Sequence, residues 1–242
     1  MTYTIKHIAE TDSTNHWLKA YGSEGIVVWA DYQTAGRGCG TNTWESERGK
    51  NLLFSVLLHP DTIPARRQFH LSMAVSVALY EVLSAYADGF SIKWPNDIYW
   101  NDHKICGMLI ENRVAGQVLA ESIIGIGLNV NQRVFLSDAP NPVSLCQIVE
   151  HDIDRQALLN DILQKLDEVI TRSPCSEVSS HNSLLAAYEE RLYRRGENHA
   201  YTDHHGPFKA TLTGVLDDGH LRLIDESGTE RTYAFKEIQF TL

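Results

Sequence analysis

A long helical pattern set among strands limits what this chain can fold into. From Arg66 to Tyr86 the residues Leu71, Val75, Ala78, Leu79, Val82 and Tyr86 recur at helical spacing, which predicts a central, mostly buried helix. Around it the chain reads as strands and hairpins. Tyr3 to Ile8 alternate, Ile26 to Ala30 (IVVWA) are apolar and rich in β-branched residues, and Asn51 to His59 (NLLFSVLLH) is a nearly continuous apolar run expected to be covered on both faces. Phe90 to Trp94 reads as a short strand, and Pro95 begins a turn. Asn101-Asp102 marks a hairpin tip from which Lys104 to Ile110 returns, and Leu119 to Val130 is a further strand or strand pair. This order lacks regular βαβα alternation and favours the α+β class over a doubly wound sheet.

Further on, Arg155 to Arg172 and Asn182 to Arg194 read as amphipathic helices. Phe208 to Leu242 then alternates in short strands divided by Asp217-Asp218-Gly219 and Glu226-Ser227-Gly228. The expected division is a larger domain over residues 1–190 and a small all-β domain over 191–242. The formal net charge of −10 argues against a nucleic-acid partner and against a polybasic membrane anchor. No apolar run has the length of a membrane span, and MTYTIKHIAETDS does not read as a signal peptide. Cysteines at 39, 106, 146 and 175 show no paired metal spacing and suit reduced thiols in a cytoplasm. His103 and Cys106 lie close together, but no second pair completes a metal set.

Chemistry concentrates between Gln33 and Trp44 (QTAGRGCGTNTW), where Gly36, Gly38 and Gly40 alternate with Arg37 and Cys39. Glycines let backbone approach a ligand, and an arginine among them supplies a forked donor suited to carboxylate or phosphate. The dinucleotide fingerprint fails because Thr41 stands where its third glycine belongs. The P-loop fails because Asn51 follows Gly49-Lys50 and Trp44 takes the leading glycine's place. Earlier, TDSTN at 11–15 reads in two ways. Asp12 or Ser13 caps the following helix, which carries Trp17, Leu18 and Tyr21 on one face and ends at Gly22, or Ser13, Thr14 and Asn15 present polar groups to a ligand.

Five segments in order, TDSTN, QTAGRG, KWPND at 93–97, HKICGMLIE at 103–111 and GIGLNVN at 125–131, resemble the successive motifs of biotin protein ligases. The resemblance covers essentially the whole chain and is to the short form without an N-terminal DNA-binding domain. It implies a catalytic domain like that of class II aminoacyl-tRNA synthetases, a mixed sheet with helices, followed by a small SH3-like β-barrel. It also implies an activity: biotin and ATP form biotinyl-5'-AMP and pyrophosphate, and biotin then passes to a lysine of a biotin carboxyl carrier domain, acetyl-CoA carboxylase's being the family expectation. Mg²⁺ is expected with ATP, and no protein metal ligand is assigned.

By the same resemblance Lys104, Arg37 and Asp97 are the catalytic residues. Ser13, Thr14, Gln33, Gly36, Arg37, Lys104 and Gly107 contact biotin. Arg37, Gly38, Trp44, Asn96, Lys104 and Asn129 hold ATP or the adenylate, with Trp44 at the adenine end. Asn96, Asp97 and Asn129 offer oxygens to ribose, magnesium or the incoming amine, whereas Trp94 and Pro95 read as framework. A cytoplasmic enzyme, monomer or homodimer, is expected. The loop departs from the family pattern at Cys39, Gly40 and Thr41, where further arginines and a glycine are usual. The missing charge predicts a leakier adenylate or compensation by Lys50 or Arg48, and Cys39, if exposed, a loop sensitive to oxidation. The rivals are a lipoate or octanoate ligase of the same superfamily, whose loops differ, and a non-catalytic biotin-binding sensor, against which Arg37 and Lys104 both argue.

Overall fold

A computed structural model describes residues 3–40, 42–137 and 141–241. In chain order the elements are β1 (Thr4–Ile8), α1 (Thr14–Tyr21), β2 (Ile26–Ala30), β3 (Leu52–Leu58), α2 (Phe69–Leu83), β4 (Phe90–Lys93), β5 (Asp97–Trp100), β6 (His103–Ala115) and β7 (Val118–Leu128). There follow α3 (Leu145–Val149), α4 (Arg155–Arg172), α5 (Val178–Glu190), β8 (Asn198–Asp203), β9 (Gly206–Val215), β10 (Leu221–Asp225), β11 (Glu230–Tyr233) and β12 (Gln239–Phe240). The first seven strands form one mixed sheet in the order β1-β2-β3-β7-β6-β5-β4, with β1 and β2 its parallel pair. The last five form an antiparallel sheet, β11-β10-β9-β8-β12, the SH3-like module. The α+β class expected above is the class observed.

Alternation along β3 organises the large sheet. Every residue from Leu52 to Leu58 is buried, but to two different sides. Leu52, Phe54, Val56 and Leu58 pack in the main core with α2, whereas Leu57 packs with Leu18 of α1, and Ser55 stands beside Thr14 and Asn15 at the start of α1. The core side is covered by α2, with α4 and α5 packed outside it. The opposite face is only partly covered by α1, which leaves room there for a site.

Several boundaries differ from the sequence reading. The 66–86 pattern resolves into a 3₁₀ turn (Ala65–Arg67) and α2, which ends at Leu83. The helix placed at 182–194 is α5, which starts at Val178 and stops at Glu190. Beyond it, Arg191 and Tyr193 bond to both sides of Ile92, so residues 191–193 line the edge of the large sheet next to β4. An extended tertiary partner wins there over helical periodicity. The short α3, not anticipated, is started by a capping box between Ser144 and Gln147. On α1, Tyr21 is 71% exposed and does not share the buried side of Leu18.

Asp154 caps α4: its Oδ1 accepts from Gln156 N at 2.8 Å and Ala157 N at 3.1 Å. Because α4 packs on α2 and buries Leu159, Ile162, Leu163 and Leu166, losing the cap destabilises a core layer. Asp154→Ala is expected to cost about 1 kcal/mol in urea unfolding, and an unchanged midpoint would show that water replaces the cap.

Candidate active site

The glycine loop folds as a small hairpin. Gly38 N donates to Asn42 O at 2.8 Å and Trp44 N to Gly36 O at 3.0 Å, with Arg37 bridged to Thr43. Thr41, singled out above, lies outside the described residues. The hairpin walls a cavity of about 690 Å³ whose floor is the open face of the large sheet and whose far wall is the C-terminal module, Phe235 to Phe240.

Strand register builds the floor. Lys93, Asp97, Gly107 and Gly127 stand opposite one another across β4, β5, β6 and β7, and Leu109, Gly125 and Ser55 form the next row. Residues paired across strands share a face, so each row presents its side chains to the same side. The glycines make this face deep. A Cβ on Gly127 would come within 2.5 Å of the Trp44 indole, and one on Gly107 within 3.0 Å of it. Trp44 therefore lies on the sheet over Gly107 and Gly127, with the Lys104 ammonium 5.7 Å from its ring centroid.

At the α1 end lies a buried polar network. Thr14 donates to Gln33 Oε1 through both N (2.7 Å) and Oγ1 (3.1 Å). Ser55 Oγ is 2.7 Å from Thr14 Oγ1 and 2.6 Å from Asn15 Oδ1. Asn15 Nδ2 in turn donates to Leu109 O at 3.2 Å and Glu111 Oε2 at 2.8 Å. Ser13 sits at the N-cap position, but its side chain makes no capping bond. Its hydroxyl is thus left to the cavity. Burial by itself would raise the Glu111 carboxyl; hydrogen bonds from Lys19 and Asn15, with Arg37 close by, outweigh burial and hold it below the usual range.

Cations meet at the other end. Lys104 Nζ is 2.7 Å from Asp97 Oδ2. Lys93 Nζ donates to Tyr99 Oη at 2.9 Å, and burial pushes its pKa down. Arg37, half-exposed, instead lies on the network side, reaching Glu111 Oε2 at 3.5 Å. Lys236 comes across from the C-terminal module against Gly40, whose φ of +74° has the left-handed sign that glycine tolerates. Asn96 Nδ2 donates to Met108 O at 2.5 Å and stands 3.0 Å from Cys39 Sγ. Burial, with Asp97 nearby, pushes the Cys39 thiol up. That thiol is partly buried on the cavity wall, and its raised pKa disfavours the thiolate form that oxidises most readily.

Ser13, Thr14, Gln33, Arg37, Gly38, Trp44, Asn96, Asp97, Lys104 and Gly107 all line this one cavity. Gly36 and Asn129 do not. Gly36 is buried under the hairpin, where a Cβ would stand 2.8 Å from Trp44 O. Asn129 is buried beyond β7, its N bonded to Ile105 O and its Nδ2 donating to Val143 O at 3.1 Å. The expected compensating cations are also elsewhere: Arg48 pairs with Glu10 and lies over Tyr32, and Lys50 is not on the cavity wall. Lys93 and Lys236 are the lysines on the cavity wall besides Lys104 among the described residues. Asn15, read in TDSTN as one of the polar groups facing a ligand, does lie on the wall, whereas KWPND by itself leaves Lys93 open. For Lys236 there was no local signal.

A deep cavity with cations at one end and a buried hydroxyl–amide network at the other is the layout of an enzyme that binds a polar molecule bearing an anionic group. Residues 7–129 match the biotin/lipoate A/B protein ligase family. The chain is 32% identical over 234 residues to the bifunctional ligase/repressor BirA of Bacillus spizizenii, covering 94% of this chain and 70% of that protein. It is 36% identical over 126 residues to BirA of Escherichia coli, covering 50% of this chain and 39% of that one. The biotin protein ligase from Aquifex aeolicus in complex with biotin and ATP has a similar structure, with a TM-score of 0.79 and 29% identity over 98% of this chain and 99% of that one. This chain belongs to the biotin/lipoate A/B protein ligase family.

Proposed function

We propose that this protein is a biotin protein ligase, which condenses biotin with ATP to biotinyl-5'-AMP and passes biotin to one lysine of a biotin carboxyl carrier domain. The observation that carries this reading is the two-ended cavity. The Thr14–Gln33–Ser55–Asn15 network offers both donors and acceptors, as a cyclic urea requires, Lys104, Lys93 and Lys236 line the cavity toward its other end, and Arg37, paired with Glu111, stands on the network side within the same cavity. Trp44 Nε1 is buried with no hydrogen-bond partner among the described residues, a donor available to a ligand.

In the first step a carboxylate oxygen of biotin attacks the α-phosphorus, the bond to the bridging oxygen breaks, and pyrophosphate leaves with the electron pair. The protein supplies no nucleophile. Lys104 and Arg37 grip the oxygens on which charge shifts, and the sheet holds the reactants in line. For Lys104 to do so its ammonium turns from Asp97 toward the ligand, a short swing for a flexible side chain. In the second step the carrier amine attacks the biotinyl carbonyl, AMP departs, and Asp97, freed as Lys104 follows the phosphate, orients the amine. The cavity wall offers one carboxylate among the described residues, Asp97, which is too few to hold a metal alone. Mg²⁺ bound to the nucleotide phosphates would supply charge neutralisation there, with Asp97 the wall carboxylate that could approach it.

The test is biotin-dependent exchange of labelled pyrophosphate into ATP. Exchange that requires biotin and ignores lipoate supports the proposal; exchange with lipoate moves the protein to the sister activity. Tight biotin binding without exchange makes it a sensor. Lys236 belongs to the same account. Lys236→Ala removes the cation nearest the shortened loop charge and is expected to raise the KM for ATP about tenfold, the worth of a hydrogen bond to a charged group, with the KM for biotin little changed. Equal changes in both would place Lys236 outside the nucleotide end.

A further inference from the structure

Away from the cavity, His70 on α2, Cys175 between α4 and α5, and His181 on α5 come together in the core, 3%, 4% and 0% exposed. Their ligand-type atoms all lie within 4.8 Å of one another. The two imidazoles face each other through Nδ1, 2.9 Å apart. His70 Nε2 is 2.9 Å from Ser173 O, and His181 Nε2 is 3.4 Å from Asp217 Oδ1. A carbonyl and a carboxylate only accept, so both outer nitrogens carry hydrogens. Neutral rings would then aim two lone pairs at each other inside the protein, beside a thiol. Something positive between them resolves the conflict.

The geometry points to a zinc site made by His70 Nδ1, His181 Nδ1 and the Cys175 thiolate, with a solvent ligand completing a tetrahedron. Two imidazoles and one thiolate are a donor set that zinc favours. Outer N–H groups tied to a carbonyl and a carboxylate are the support that metal-bound histidines have. Zinc bonds of about 2.0–2.3 Å in a tetrahedron place ligand atoms roughly 3.3–3.6 Å apart, so the imidazoles part slightly and the thiol turns inward. Binding sends the thiol proton, and any proton shared by the rings, to solvent. Asp217 lies in the turn between β9 and β10 and also pairs with Arg67 at 3.2 Å. The metal would therefore tie α2 and α5 to the C-terminal module from outside the catalytic cavity.

The test uses the full chain loaded with zinc or cobalt and freed of excess metal by gel filtration. One equivalent of zinc should remain, and the cobalt form should show tetrahedral visible bands with a thiolate charge-transfer band. Cys175→Ser should abolish the charge-transfer band, His181→Gln should lower zinc affinity at least a hundredfold, and Cys146→Ser, at another buried cysteine, should change neither. Asp217→Ala should weaken zinc binding about 10–100-fold. X-ray absorption on the wild type reads the shell without any variant, one sulfur and two imidazoles being expected. No retained metal, a shell without sulfur, or a cobalt spectrum indifferent to Cys175→Ser would each overturn the assignment and leave a proton shared between the rings.

Discussion

Lys104→Ala should lower biotin-dependent pyrophosphate exchange at least about a hundredfold, as loss of one preorganised charge-stabilising donor does in other acyl- and phosphoryl-transfer sites. Lys104 is well placed for such an effect. Backbone bonds to Asn141 and from Val143 fix both sides of its peptide, and its ammonium is held 2.7 Å from Asp97 at the cavity wall. The charge it stabilises grows only as the carboxylate reaches the α-phosphorus, so the loss should appear in kcat with the KM for biotin nearly unchanged. Folding should survive, since a partly exposed ion pair contributes only about 0–1 kcal/mol. Unfolding midpoints measured beside the exchange rates would separate these effects. A Lys104→Ala protein that exchanges within threefold of wild type would remove this lysine from the chemistry.

Gly125→Ala should be as damaging at the opposite end of the cavity. A Cβ there would overlap Asn15 Oδ1 and stand 2.9 Å from Asn15 Cγ. Asn15 is 3% exposed and held by Ser55, Leu109 O and Glu111, so swinging away from the methyl breaks those hydrogen bonds. Overpacking costs about 1–3 kcal/mol, and each buried polar group that loses its partner costs about 1–3 kcal/mol more. A stability loss of roughly 2–4 kcal/mol is expected on that basis. The KM for biotin should rise about 10–100-fold if two or so hydrogen bonds of the network are displaced. Asn15→Ala placed on top of Gly125→Ala makes room for the methyl and should restore stability more than biotin affinity. If both recover together, the network is not what biotin reads.

The motifs of this chain were legible because each is local. QTAGRG, KWPND and HKICGMLIE carry their glycines, arginine and lysines within a few residues, and the structure puts nearly all of the singled-out positions on one cavity. Strand β3 and helix α2 were legible for a similar reason: burial on both faces writes an unbroken apolar run, and burial of one long helix writes a spacing. Asn129 shows the limit. An asparagine near a motif reads as a ligand contact, and the structure places this one off the cavity wall with its Nδ2 donating to Val143 O. Nothing in its neighbours' identities distinguishes those uses.

From the order of residues alone came the α+β class, the small C-terminal β module, the gripping loop and the lysine on which the chemistry is staked, since propensity, periodicity and short motifs act over one or two turns of chain. Tertiary structure decided the rest. Strand register placed Lys93, Asp97, Gly107 and Gly127 in one row, and module docking brought Lys236 against Gly40. Helix packing set His70 against His181 and Cys175. Each of these joins residues distant in the chain, and such encounters are chosen by the whole core's packing and by the pairing of backbone hydrogen bonds, which no local stretch encodes.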